Sequence, residues 1–185
     1  MKKIITLKHG GGELANQLWN YISIYAYGLE IEARVQNPSF FEYHHHFKLI
    51  KNESFVTKFF SSWFRDYSGR RSSLRSRFWR KVYLIYISLV SFFVGSNIIS
   101  SENEDNRITY LPPTSSIPHL EDKRTWYFVG WLFRNPVGLK KFRNNLLKIF
   151  APNKKIEENL TNIIHPLRGQ YEKIIGIHIR QADYA

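Results

Sequence analysis

A chain of 185 residues with 43% hydrophobic and 16% aromatic content is globular rather than disordered, and long enough for one good core. Its 27 Lys and Arg against 15 Asp and Glu give a formal net charge of +12, which favours an anionic partner: a phosphorylated ligand, an anionic lipid or a nucleic acid. With no cysteine there is no disulfide framework, no thiolate zinc site and no cysteine nucleophile.

Met1-Lys2-Lys3 leads directly into a strand-like run, "KKIITLKH", and not into the long apolar core of a secretory signal, so a cytoplasmic location is expected. The next stretch, "ELANQLWNYISIYAYGLEIE", predicts a helix, because Leu14, Leu18, Tyr21, Ile22, Tyr25 and Leu29 recur at three- and four-residue intervals. Strand, glycine turn and helix open an α/β unit. In that turn Gly10, Gly11 and Gly12 let the backbone pass close to a ligand, and the helix that follows aims its free N–H groups at the same spot, where a phosphate or sugar hydroxyl could bind. Gly10 to Ala15 fits G-x-G-x-x-A. A dinucleotide site, however, wants an acidic residue at the end of the second strand, and "EARVQN", the predicted second strand, offers Gln36 and Asn37 there. No Gly-Lys-Ser/Thr follows, so a P-loop is unsupported. A turn that merely packs a helix on a strand is the alternative.

His44, His45 and His46 invite a metal reading, but consecutive histidines face different ways and make no closed ligand set, so no metal is expected. The segment from Phe47 to Lys81 then concentrates the positive charge: Lys48, Lys51, Lys58, Arg65, Arg70, Arg71, Arg75, Arg77, Arg80 and Lys81 stand against Glu53 and Asp66. Directly after it, Val82 to Ile99 carries no charge and is just long enough to be considered as a membrane span. Ser88, Ser91, Ser96, Asn97 and two tyrosines weigh against a span, and a helix on the membrane surface is preferred to a span or to an ordinary buried helix. Peripheral membrane contact through residues 65–99 is the expectation. Trp63, Phe64, Tyr67, Phe78 and Trp79 interleave aromatics with arginines as single-strand binders do, yet no RNP-like, zinc-finger or helix-turn-helix pattern accompanies them, which ranks nucleic acid below lipid.

A polar loop from Ser100 to Pro118 precedes "TWYFVGW", which reads as another strand. Asn135-Pro136 supplies a helix start, with Leu139, Phe142, Leu146, Ile149 and Phe150 on one apolar face that stops near Pro152. Ile156, Leu160, Ile163 and Ile164 mark a further helix. The last strand, from Ile174, alternates Ile175, Ile177 and Ile179 with Gly176, His178 and Arg180, so His178 and Arg180 project side by side at its carboxyl end. Ligands bind at that end in α/β folds; an arginine there can clamp a diphosphate, a histidine can hydrogen-bond beside it, and Asp183 can orient Arg180 or a sugar hydroxyl.

These residues carry a resemblance. "GGGELANQLWNY" resembles the Gly-Gly…Asn-Gln-hydrophobic segment that opens alpha-1,2-fucosyltransferases, "GIHIRQADY" resembles their His-x-Arg-Arg-Gly-Asp-Tyr segment, and "YFVGWLFRNPVGLKKFRNNLLKIFAP" is similar to the stretch that precedes it. The basic, aromatic middle is not covered. The resemblance implies an α/β fold: the Rossmann-like N-terminal, acceptor-side domain of a GT-B-type glycosyltransferase over residues 1–170, with a basic and aromatic helical insertion at about 47–100, and at 171–185 the first strand of a nucleotide-sugar-binding domain. It implies inverting transfer of L-fucose from GDP-fucose to a hydroxyl of a glycan or lipid-linked glycan in surface polysaccharide synthesis, at the inner face of the plasma membrane, with no metal or other cofactor. Arg180 inherits contact with the donor β-phosphate. His178, Asp183, Gly11 and Gly12 line the donor pocket, and Asn16 sits at the active-site cleft. Gln181 and Ala182 depart from the second Arg and the Gly of the family segment, and Ala15 replaces the Gly before the Asn. On this view the chain holds one wall of a two-domain cleft and by itself transfers no sugar. A non-catalytic basic module for membranes or nucleic acid is the alternative.

Overall fold

In a computed structural model of the chain, residues 2–8, 14–49, 53–63, 74–94, 98–100, 108–111, 125–130 and 132–175 are described. They form β1 (Lys3–Lys8), α1 (Leu14–Glu30), β2 (Arg34–Gln36), α2 (Phe55–Ser62), α3 (Leu74–Val94), β3 (Ile98–Ser100), β4 (Thr109–Tyr110), β5 (Thr125–Val129), β6 (Phe133–Arg134), α4 (Pro136–Lys141), α5 (Arg143–Ile149) and α6 (Lys154–Gln170). The chain divides into two compact units, Met1–Ala151 and Pro152–Ala185.

The first unit is α/β. Four strands form a parallel sheet in the order β2-β1-β5-β3, and β4 pairs with β6 in a separate two-stranded ladder. Parallel strands need crossovers, and burial on both faces makes them apolar. In β1, Ile4, Thr6 and Leu7 are all buried, and in β5 so are Trp126 and Phe128. The register sets Ile4 beside Trp126 and Thr6 beside Phe128. On one face of the sheet, Ile4 and Phe128 join Tyr21, Ile24 and Tyr27 of α1 with Leu146 and Phe150 from the end of α5. A second cluster joins Phe41, Phe60 of α2 and Tyr83 of α3, flanked by Trp79, Val82 and Tyr86.

The apolar run Val82 to Ile99, expected as one helix, is divided. Helix α3 ends at Val94, and Ile98–Ser100 forms β3, whose backbone pairs with β5. Among the described residues no helix is long and apolar enough to cross a membrane.

The expected cap is present. Asn135 accepts from Gly138 N–H at 2.8 Å with Pro136 in the first turn of α4, and its Nδ2 donates to Glu30 Oε2 at 3.1 Å, tying that turn to the end of α1. The helical face expected from Leu139 to Phe150 is shared by two helices, α4 and α5, and packs into the core as expected. In the second unit α6 starts at Asn153, which accepts from Ile156 N–H at 2.9 Å. Ile174 and Ile175, expected in a strand, are in no strand, and the rest of that expected strand lies outside the described residues.

The face of α1 that enters the core differs from the apolar stripe of the sequence. Its buried residues are Gln17, Asn20, Tyr21, Ser23, Ile24, Ala26, Tyr27 and Gly28, whereas Leu14 is exposed. Gly28 is there because the helix touches β2: a Cβ at this position would lie 2.1 Å from Val35 Cγ2 and 3.2 Å from Ala33 O. Alanine gains about 1 kcal/mol of helix propensity over glycine, but overpacking a core costs roughly 1–3 kcal/mol. Gly28→Ala is therefore expected to lower the melting temperature, and in a Val35→Ala background the same change should raise it. Denaturant titration of the four proteins measures this reversal; additive effects would show that the close approach is not the cause.

Candidate functional site

The chain steps from β1 out to β2, then crosses β1 to the far edge at β3, so the strand order changes direction beside β1. Open α/β sheets bind ligands outside the carboxyl ends of strands at such a place. The carboxyl ends of β1 and β5 lie side by side here, and α1 reaches the turn after β5 through Asn20. The end of β1 is anchored by Tyr83 of α3, whose hydroxyl donates to the Leu7 carbonyl. The turn after β5 is held by Asn20. This side chain is fully buried; its Nδ2 donates to Gly130 O at 3.0 Å and its Oδ1 accepts from Phe133 N–H at 3.1 Å. Gly130 has φ 129°, a conformation that a side chain would strain.

Of the residues expected to act, Asn16 is on the first turn of α1 and exposed. Gly11, Gly12, His178, Arg180 and Asp183 lie outside the described residues. Two residues of this region were not singled out by sequence. One is Asn20, a turn further along α1 than Asn16. The other is Trp19, which is 52% exposed and three residues from Asn16, so that an amide and an aromatic plane stand on neighbouring positions of one helix surface.

A second group of functional residue types is closed to solvent. At the carboxyl end of β2, Glu53 accepts hydrogen bonds from the Tyr21 hydroxyl and, at 3.3 Å, from Asn37 N–H. His44 is buried beside it, with Nε2 2.9 Å from Asn37 O and 3.8 Å from Glu53 Oε1. The bond to a carbonyl makes Nε2 the protonated nitrogen. Burial pushes the Glu53 carboxyl up to about 7, against the pull of its hydrogen bonds with Tyr21, Asn37, Thr57 and Ser54. Burial also takes His44 down to about 4. At neutral pH the histidine is uncharged and the contact is not an ion pair. The rings of Tyr21, Phe40 and His44 meet edge to face in the core beside this buried carboxyl. Among the described residues no group of three His, Asp or Glu side chains could hold a metal ion.

Comparison with protein-family models, curated proteins and solved structures found no match to this chain.

Two outcomes follow from this geometry. Asn20→Ala would leave the Gly130 carbonyl and the Phe133 N–H buried without a partner, at about 1–3 kcal/mol each, so urea denaturation should show a loss of roughly 2–6 kcal/mol. Asn16→Ala, on the exposed turn, should leave the midpoint unchanged.

The buried pair gives a pH signature. Glu53 titrates higher in the folded state than the roughly 4.3 of an unfolded chain, so its contribution is fully present below that value and is lost as pH rises through about 7. His44 titrates lower than the roughly 6.5 of an unfolded chain, so its contribution is present above that value and is lost as pH falls toward about 4. Between these limits the two slopes oppose each other, and native stability should be nearly flat from pH 4.5 to 6.5, about the span of the two shifts. Glu53→Gln removes one slope. Its stability should rise with pH over that window by up to about 1.4 kcal/mol per unit relative to the native protein, superimposed on a constant penalty for the acceptor lost to Asn37. Parallel pH profiles would refute the assignment.

Proposed function

We propose that this chain is the acceptor-side, Rossmann-like part of a GT-B-type glycosyltransferase that moves L-fucose from GDP-fucose to a glycan hydroxyl. The observation that carries the reading is the exposed Asn16 and Trp19 on α1, within a turn of the Asn20 that holds Gly130 at the carboxyl end of β5, where a parallel sheet changes strand direction. The sequence resemblance puts the glycine turn and the family's Asn at the same end of the same helix. The Asn16 amide can donate to and accept from sugar hydroxyls, and Trp19 offers a flat apolar surface with a polar edge, a pairing suited to a sugar ring.

The chemistry is an in-line displacement. The acceptor oxygen attacks the fucose C1, its hydroxyl proton passes to a base, the bond from C1 to the phosphate oxygen breaks, and GDP leaves with the electron pair. Negative charge therefore grows on the β-phosphate, and a guanidinium aimed there lowers the barrier without changing its own protonation. The resemblance gives this role to Arg180 and assigns His178, Asp183, Gly11 and Gly12 to the same donor pocket.

Transfer from radiolabelled GDP-fucose by the whole gene product tests the reading. Arg180→Ala should lower kcat/KM by roughly 10²- to 10³-fold, the usual effect of removing one donor to a developing anion. Trp19→Ala should raise the acceptor KM while leaving affinity for GDP alone unchanged. Undiminished turnover in Arg180→Ala would remove the donor assignment, and unchanged acceptor KM in Trp19→Ala would remove the acceptor site.

A further inference from the structure

We infer that the outward face of α3, with α2 beside it, docks this protein on an anionic lipid bilayer as an in-plane helix. Helix α3 has two unlike sides. Inward, Tyr83 is buried and Trp79, Val82 and Tyr86 are half-buried against α2 and the segment after β2. Outward, Leu74, Phe78, Leu84, Ile85, Leu89 and Phe92 are all more than half exposed, reaching 83% at Leu74 and 82% at Phe92. At 1.5 Å per residue this stripe runs about 27 Å. Singly exposed apolar residues are ordinary, but six large ones along a row of this length mark a surface that meets an apolar partner.

Charge selects the partner. The exposed Arg77 and Lys81 lie within the same outward arc, and neither α2 nor α3 contains an acidic residue. The carboxylate of Glu42, next to this helix, is engaged by Arg80. Helix α2 packs against α3 through Trp63 and Trp79, stacked with centroids 4.4 Å apart, and through edge contacts of Phe59 and Phe60 with Trp79. It adds Lys58 and the exposed Phe55 and Phe59. Cations among large apolar and aromatic side chains match the headgroup and acyl boundary of an anionic membrane. Nucleic acid would use the cations, but the aliphatic Leu84, Ile85 and Leu89 offer no ring for a base to stack on.

This inference stands apart from the transferase reading, and its test contains no sugar nucleotide. The full chain is sedimented with phosphatidylcholine vesicles, with and without phosphatidylglycerol, and with single-stranded RNA in place of vesicles. Binding should require the anionic lipid and weaken as salt rises. Arg77→Gln and Lys81→Gln should each lower the partition coefficient roughly fivefold, following about 1 kcal/mol per basic residue near the surface. Ile85→Ser with Leu89→Ser should abolish binding while leaving circular dichroism unchanged and moving the urea midpoint only slightly, since both side chains are more than half exposed. Equal binding to neutral vesicles, no loss in the double variant, or retention on RNA but not on lipid would overturn the inference. So would a lipid-free dimer in analytical ultracentrifugation that the same two serines dissolve, because the face would then be covered by a second copy.

Discussion

The structure depends on satisfying one buried hydroxyl. Tyr21 stands at the middle of α1, its ring 5.5 Å from Phe40 and 5.1 Å from Phe150, so it is held in an apolar core that leaves its polar tip no access to water. A buried phenol without a partner would cost much of what the ring contributes. Glu53 accepts that hydroxyl and also holds the backbone at Asn37, where β2 ends. One carboxyl thus joins α1, the second strand and the entry to α2. Everything downstream inherits the placement: Ser54 caps α2 by accepting from Thr57 N–H at 3.2 Å, the aromatic face of α2 receives Trp79 and Tyr83 of α3, and α3 leads to β3 at the far edge of the sheet.

What could be read from the sequence was whatever rests on period, punctuation or caps. The strand-like runs of β1 and β5, the three-four spacing of α1, the Asn135 cap before Pro136 and the apolar face from Leu139 to Phe150 are local signals, and each element formed. The polar residues of the core give no such signal. Gln17 and Asn20 sit on the face of α1 that enters the core, where Asn20 pairs the backbone groups of Gly130 and Phe133, and a hydrophobic pattern passes over both. Glu53 looked like one of two acids in a basic segment. Only the fold shows that it faces inward, since its partner Tyr21 is 32 residues away. Likewise the sequence offers three equal histidines, and the structure buries His44 alone among them. Strand β3 was hidden in an uninterrupted apolar run, because membership of a sheet is decided by the neighbour β5 and not by the strand itself.

The candidate site was legible in part for the same reason. The exposed position of Asn16 follows from its place in the first turn of α1, which sequence can locate. Trp19 is harder to read: an aromatic on a helix is more often core, and its exposure appears only once Gln17, Asn20 and Tyr21 have taken the inward positions. The polar side chains that enter the core and the aromatic that stays out are thus two consequences of one helix rotation.

The same division of labour within a helix decides how α3 can meet lipid. A spanning helix must be apolar all round and must leave its partners to be surrounded by acyl chains. Helix α3 cannot do so and keep this fold, because the Tyr83 hydroxyl donates to the Leu7 carbonyl at the end of β1, and Arg80 is paired with Glu42. Insertion would break the first contact, strip a backbone carbonyl of its partner at the candidate site, and carry a charged pair into hydrocarbon at a cost of several kcal/mol. Lying flat on the surface costs neither. Only the outward Leu84, Ile85, Leu89 and Phe92 then enter the acyl boundary, while Arg77 and Lys81 reach headgroups and the inward aromatic side continues to hold the sheet. The apolar run that looks in sequence like a marginal span is therefore better used as two surfaces, one for the core and one for the bilayer.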